Sequence, residues 1–225
     1  MAIYLNFTSA WLDSASMRSL LPLAAALLIA APAWAGDLAV SLKTPSGAPV
    51  SDAVIVVETA DGPPKGPIHF AGPYRMAQKD MQFTPFVLLV PVGAEVAFPN
   101  LDPILHHVYS FSPAKTFELK LYGRDETRHV RFDKPGIVSV GCNIHDDMTG
   151  FIRIIDTPYA AKTDGQGHAV IPDLPAGAAT VRVWHPYLKA VRNEAVRTVT
   201  IPGAGGASLA LAVELRPAPM KHAGY

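Results

Sequence analysis

The sequence predicts an all-β protein with two β-sandwiches, one larger and one smaller. Three observations carry this. The apolar stretches are short and rich in Val and Ile. Turn residues separate them, drawn from 17 Gly and 21 Pro. No segment shows the 3.6-residue apolar period of an amphipathic helix. Short strands at regular spacing, punctuated by Gly and Pro, are the pattern of sandwiches and barrels.

In chain order, the first strands are expected at 38–42 and 53–58, around a turn on Pro45-Ser46-Gly47. Residues 61–73 hold four prolines and three glycines, which predicts a loop or linker. A second group follows at 86–90, 95–99, 107–111, 128–132, 137–140 and 150–155. A third covers 168–171, 180–185, 197–201 and 207–215. Residues 217–225 are expected to be a loose tail.

The N-terminus predicts export. Residues 20–31 form an apolar run of signal-peptide length, short for a bilayer span. Ala33-Trp34-Ala35 is an A-x-A cleavage site. Residues 1–35 are therefore expected to be a signal peptide, with Gly36 or Asp37 beginning the mature chain. Residues 1–16 carry Asp13 and no basic residue, so Met17 is a second candidate start. About 190 residues remain after Ala35, enough for one large or two small domains. A periplasmic location is expected, with no membrane span once the signal is removed.

Charge narrows the function. Lys and Arg number 19 and Asp and Glu number 19, so the net charge is zero. Nucleic acid is an improbable partner for such a surface. Cys142 is the single cysteine, so an exported chain offers it no internal disulfide. It lies in Gly141-Cys142-Asn143-Ile144-His145-Asp146-Asp147-Met148, where a thiolate, an imidazole and a thioether fall within seven residues. That donor set suits copper. A blue-copper site needs a second imidazole, and His106 and His107 are the candidates. Adjacent strand residues point to opposite faces, so one of the two is the ligand. The other histidines have no ligand spacing among themselves. Asp102 and Glu118 are expected to be solvated.

The segment from Phe86 to Ile155 resembles the cupredoxins, most of all the amicyanin and plastocyanin group. The residues that carry this are Val90-Pro91-Val92-Gly93-Ala94-Glu95-Val96-Ala97-Phe98-Pro99-Asn100, then His106-His107-Val108, then Phe132-Asp133-Lys134-Pro135-Gly136-Ile137-Val138-Ser139-Val140-Gly141-Cys142. The Cys142, His145, Met148 spacing is similar to the short amicyanin loop. The whole chain also resembles plastocyanin-like proteins labelled as methylamine utilisation proteins. The resemblance implies a Greek-key sandwich holding one type 1 copper through His106, Cys142, His145 and Met148. It implies single-electron transfer with a periplasmic redox partner, exit through His145, and no catalysis by the chain itself. His107 then stands where the family usually has Asn, and is expected to tie the ligand loops together. Asp146 and Asp147 replace apolar residues beside His145. Gly141, small and next to Cys142, is expected to leave room beside the metal. A copper-handling protein, or an envelope binding module, is the alternative function.

The flanking segments resemble the transthyretin-like regulatory sandwiches of carboxypeptidases. The motifs are Gly47-Ala48-Pro49-Val50-Ser51-Asp52-Ala53-Val54-Ile55-Val56-Val57, Thr163-Asp164-Gly165-Gln166-Gly167 and Leu174-Pro175-Ala176-Gly177. The expected organisation is a copper domain at 76–156, inserted into or packed against a smaller sandwich made from 37–60 with 158–216.

Overall fold

The computed structural model describes Met1 and residues 35–218. Residues 2–34 of the expected signal peptide and 219–225 of the tail lie outside the described residues.

The chain begins with β1 (Ala35–Lys43) and β2 (Val54–Thr59). Nine strands follow: β3 (Ala77–Lys79), β4 (Gln82–Thr84), β5 (Val87–Pro91), β6 (Ala94–Pro99), β7 (His106–Ser112), β8 (Lys115–Tyr122), β9 (Thr127–Phe132), β10 (Gly136–Cys142) and β11 (His145–Ile155). The last five are β12 (Ala160–Lys162), β13 (His168–Pro175), β14 (Gly177–Trp184), β15 (Glu194–Ile201) and β16 (Ala207–Ala212). One 3-10 turn, Val191–Asn193, is the only helical element among the described residues. The protein is all-β.

The central strands build one sandwich. A five-stranded sheet, ordered β5-β11-β10-β7-β8, faces the β6-β9 pair. Alternation explains the core between them. Val108 on β7, Val138 and Val140 on β10, and Ile152 and Ile154 on β11 point inward. They meet Val96 and Phe98 of β6 and Val130 and Phe132 of β9. The β3-β4 hairpin attaches beside β6 through the Met76 N–H to the Ala97 carbonyl and the Leu101 N–H to the Gln78 carbonyl. Its turn residues, Asp80 and Met81, both take φ of 52°, as the tight I′-type hairpin turn requires.

The outer strands build a second core. β1 lies between β13 and β16, and β2 between β12 and β14, with β15 at the far edge. Leu38, Val40 and Leu42 alternate inward from β1, against Ile55, Val57, Ile171, Leu174, Val181 and Val183. The first two strands thus pair with strands beyond residue 159, across the intervening sandwich. A small apolar cluster joins the two cores. Val54, Val87 and Trp184 are buried together, with Phe86 and Phe151 packed on them. Phe151 meets both Phe86 and Trp184 edge to face. Lys162 Nζ clamps the same boundary, bonding Asp52 at 2.6 Å and the Val87 carbonyl at 2.9 Å.

Four strands are absent from the sequence reading: β3, β4, β8 and β12. The largest, β8, is an edge strand whose outward residues are Thr116, Glu118 and Lys120. Charges on an edge blunt its pairing potential, and here they alternate with Phe117, Leu119 and Leu121, a two-residue period that the sequence does carry.

The turn at Thr163-Asp164-Gly165-Gln166-Gly167 shows why its glycines matter. Gly167 sits at φ +75°, and a Cβ there would collide with the Leu42 carbonyl and lie 3.0 Å from the Val50 N. Backbone atoms cannot yield as a side-chain tip can. Gly167→Ala is expected to destabilise the fold by about 1–3 kcal/mol, seen as a lower urea midpoint. An unchanged midpoint would show that this turn is not tightly held.

Candidate metal centre

Alternation along two neighbouring strands creates the site. On β7, His106, Val108 and Ser110 are buried, while His107 and Tyr109 face the other side. On β10, Val138, Val140 and Cys142 are buried. The strands pair with Cys142 opposite Val108, two residues from His106. The inward rows therefore bring an imidazole and a thiol together at one end of the core. β10 then turns through Asn143 and Ile144, and His145 opens β11 opposite Cys142.

Cys142 Sγ lies 3.6 Å from His106 Nδ1 and 3.6 Å from His145 Nδ1. The donor atoms of these three residues all fall within 4.8 Å of one another. The rings of His106 and His145 are 5.1 Å apart, tilted by 58°. A metal bonded to sulfur at about 2.3 Å and to nitrogen at about 2.0 Å, with 109–120° between them, needs a separation of roughly 3.5–3.7 Å. The observed spacing fits a metal ion between these atoms. Met148 is buried in the same core cluster as Cys142. A thiolate with two imidazoles is a donor set suited to copper.

His106 and Cys142 are buried and His145 is half-buried. Burial pushes the Cys142 thiol up, but hydrogen bonding with His106, His107 N–H, Ile144 N–H and His145 outweighs it. The thiol is lowered to about 6. Burial pushes His106 down, and its contacts with Cys142 and Asp102 more than reverse this, so it is raised. The metal-free pocket thus favours a thiolate facing a protonated imidazole.

Three sequence expectations require correction. Asp102 is not solvated. Its side chain is buried and accepts from His106 Nε2 at 2.8 Å, Asp80 N–H at 2.6 Å and Met81 N–H at 3.0 Å. Its burial depends on a hairpin whose strands left no signal in the sequence. Glu118 is exposed, as expected, with its carboxylate 2.9 Å from His107 Nε2. This contact lies off the N–H direction, so it is a close approach and not a hydrogen bond.

His107 does tie the two ligand segments, but through its backbone. Its carbonyl accepts from the Asn143 N–H at 3.1 Å. Its ring faces outward, beside Tyr109 and Glu118. Gly141 leaves no room beside the metal. The Tyr109 ring covers it, with Cζ and Oη 3.1 Å from where a Cβ would stand.

Asn100, which the sequence marks only as the end of a motif, braces the loop before His106. Its Nδ2 donates to the Ile104 carbonyl at 2.8 Å and the Tyr122 carbonyl at 3.0 Å, and its Oδ1 accepts from the Asp102 N–H. An Asn two residues before an Asp-Pro pair is a sequence signal for such a loop. The loops that carry the donors expose Leu101, Ile104, Leu105 and Ile144. Asp146 and Asp147 are exposed beside His145.

No protein-family model and no curated protein matches the chain. Solved structures do align with part of it. A copper-containing nitrite reductase from Thermus scotoductus SA-01 aligns with a TM-score of 0.36 and 27% identity, over 39% of this chain and 23% of that one. A reduced Cu(I) amicyanin variant at pH 4 aligns with a TM-score of 0.34 and 20% identity, over 39% of this chain and 86% of that one. A purple cupredoxin from Nitrosopumilus maritimus aligns with a TM-score of 0.33 and 18% identity, over 36% and 98% of the two chains. This chain thus spans less than a quarter of the nitrite reductase. Among the described residues, no helix is long and apolar enough to cross a membrane.

The metal-free protein offers a direct check on these electrostatics. Its thiolate absorbance is expected to appear near pH 6, well below the ordinary thiol value of 9.0. His106→Ala should move that titration upward, because the partner that most lowers the thiol is removed. A wild-type titration near 9.0 would contradict the arrangement.

Proposed function

We propose that this protein is a type 1 copper protein that carries single electrons in the periplasm. The observation that carries the reading is the buried Cys142 with His106 and His145 Nδ1 each 3.6 Å from its sulfur. The proposed ligands are His106, Cys142, His145 and Met148. Copper in such a set supplies a one-electron Cu(II)/Cu(I) couple.

The chain's own part is to keep that geometry fixed. Cys142 and His106 sit on paired strands inside a packed core, so their separation changes little with the metal's charge. His145 is the half-buried ligand and the proposed electron exit. The exposed Leu101, Ile104, Leu105 and Ile144 on the same loops give a redox partner an apolar surface to dock on. With four protein ligands no position is left open for a substrate, and the chain is proposed to be a carrier and not an enzyme.

Copper handling is the second reading, favoured by the soft pair Cys142 and Met148. The two differ in rates. A carrier releases copper slowly and exchanges electrons quickly with a small redox mediator. Fast copper release to a chelator, with slow electron exchange, would reject the carrier.

Asp146 and Asp147 give a further check. Their charges beside His145 favour Cu(II). The double substitution Asp146→Ala with Asp147→Ala is expected to raise the reduction potential, measured by voltammetry of the copper-loaded protein. An unchanged or lower potential would count against the proposed position of the metal.

A further inference from the structure

Asp102 is a buried carboxylate with an unusual set of partners. Its oxygens accept from the Asp80 N–H at 2.6 Å, the Met81 N–H at 3.0 Å and His106 Nε2 at 2.8 Å. Among the described residues, no Lys or Arg forms an ion pair with it. The cationic group it faces is therefore the imidazole, together with whatever that imidazole binds. An ionised carboxylate can only accept, so the proton of the contact belongs to His106 Nε2. Nδ1, 3.6 Å from Cys142 Sγ, is then the ring nitrogen that would give up its proton to bind a metal.

The hairpin that supplies two of these donors is itself costly. Asp80 and Met81 both hold φ of 52°, in a turn that ordinarily calls for Asn-Gly or Gly-Gly. A long apolar residue such as Met81 avoids that region unless its surroundings enforce it. Here the enforced conformation points two successive N–H groups at one carboxylate. The turn makes sense as the anchor of Asp102, and Asp102 as the anchor of His106.

We propose that Asp102 is a positioning residue for the copper centre: it fixes the His106 ring with Nδ1 free for the metal and lends it negative charge that favours Cu(II). The role rests on the copper reading above. It belongs to the general class of carboxylates that orient a metal-binding histidine through its outer nitrogen. The carboxylate makes Nδ1 a stronger donor, and the stronger donor holds the more highly charged ion better. Asn in its place can keep the oxygen that accepts from His106 Nε2 and the Met81 N–H, gives up the bond from the Asp80 N–H, and withdraws the charge.

The test uses the full chain loaded with copper, as wild type and Asp102→Asn. The reduction potential is measured by voltammetry, and the thiolate-to-copper band is followed in parallel. The band is expected to persist in the variant while the potential rises. Each tenfold loss of preference for Cu(II) over Cu(I) appears as about 59 mV. A retained band with an unchanged or lower potential overturns the inference and leaves the copper reading standing. A wild-type chain with no band dependent on Cys142 overturns both.

A second measurement needs no variant. In the Cu(I) form, which is diamagnetic, nitrogen-proton NMR is expected to show a slowly exchanging, strongly downfield His106 Nε2 proton. Its absence overturns the inference even if Asp102→Asn fails to fold.

Discussion

The structure depends on one register: β7 and β10 pair so that their inward rows end on the same level. Val108, Val138 and Val140 fill the core below, and His106 and Cys142 complete the rows above. A one-residue slip in either strand would turn its donor side chain to the opposite face. The apolar packing that fixes the register therefore also fixes the distance between thiol and imidazole. Stability and site geometry are set by the same side chains, and a lesion in this core would be felt in both.

Around that register the chain adds supports from several directions. Asn100 braces the loop before His106 by bonding two carbonyls from separate segments. The His107 carbonyl holds the Asn143 N–H, linking the loop after Cys142 to β7. The β3-β4 hairpin holds Asp102. The second sandwich lies away from the donors and meets the first through the cluster around Phe86, Phe151 and Trp184. Its strands come from both sides of the metal-binding segment, which joins the ends of that segment to a second packed core. This is an economical way to restrain a sandwich whose own termini would otherwise be free.

Much of this was legible in the sequence, because short-range spacing and strict alternation survive without knowledge of the fold. Cys142 and His145 are three residues apart, and apolar residues alternate through 138–142. That is enough to expect both near one metal. The all-β class followed from the same alternation and from the turn glycines, of which Gly167 is held by backbone contacts. Strand β8 carries its own alternation at 116–121 and was open to the same reasoning; the rest depended on elements with no pattern of their own. The strands β3 and β4 are three residues each, too short for a period to register. Without them, Asp102 looks like a polar residue in an Asp-Pro loop, and its burial cannot be inferred. The outward row of β7 was hidden for a related reason. Tyr109 covers Gly141 only because the two lie opposite each other across the sheet, a pairing that sequence spacing does not reveal.

The most direct test of the account is the visible and EPR spectrum of the protein titrated with Cu(II), beside Cys142→Ser. An intense thiolate-to-copper band at one copper per chain, with narrow copper hyperfine splitting, is expected, and both should be lost in the variant. Colourless copper binding that does not depend on Cys142 would contradict the account.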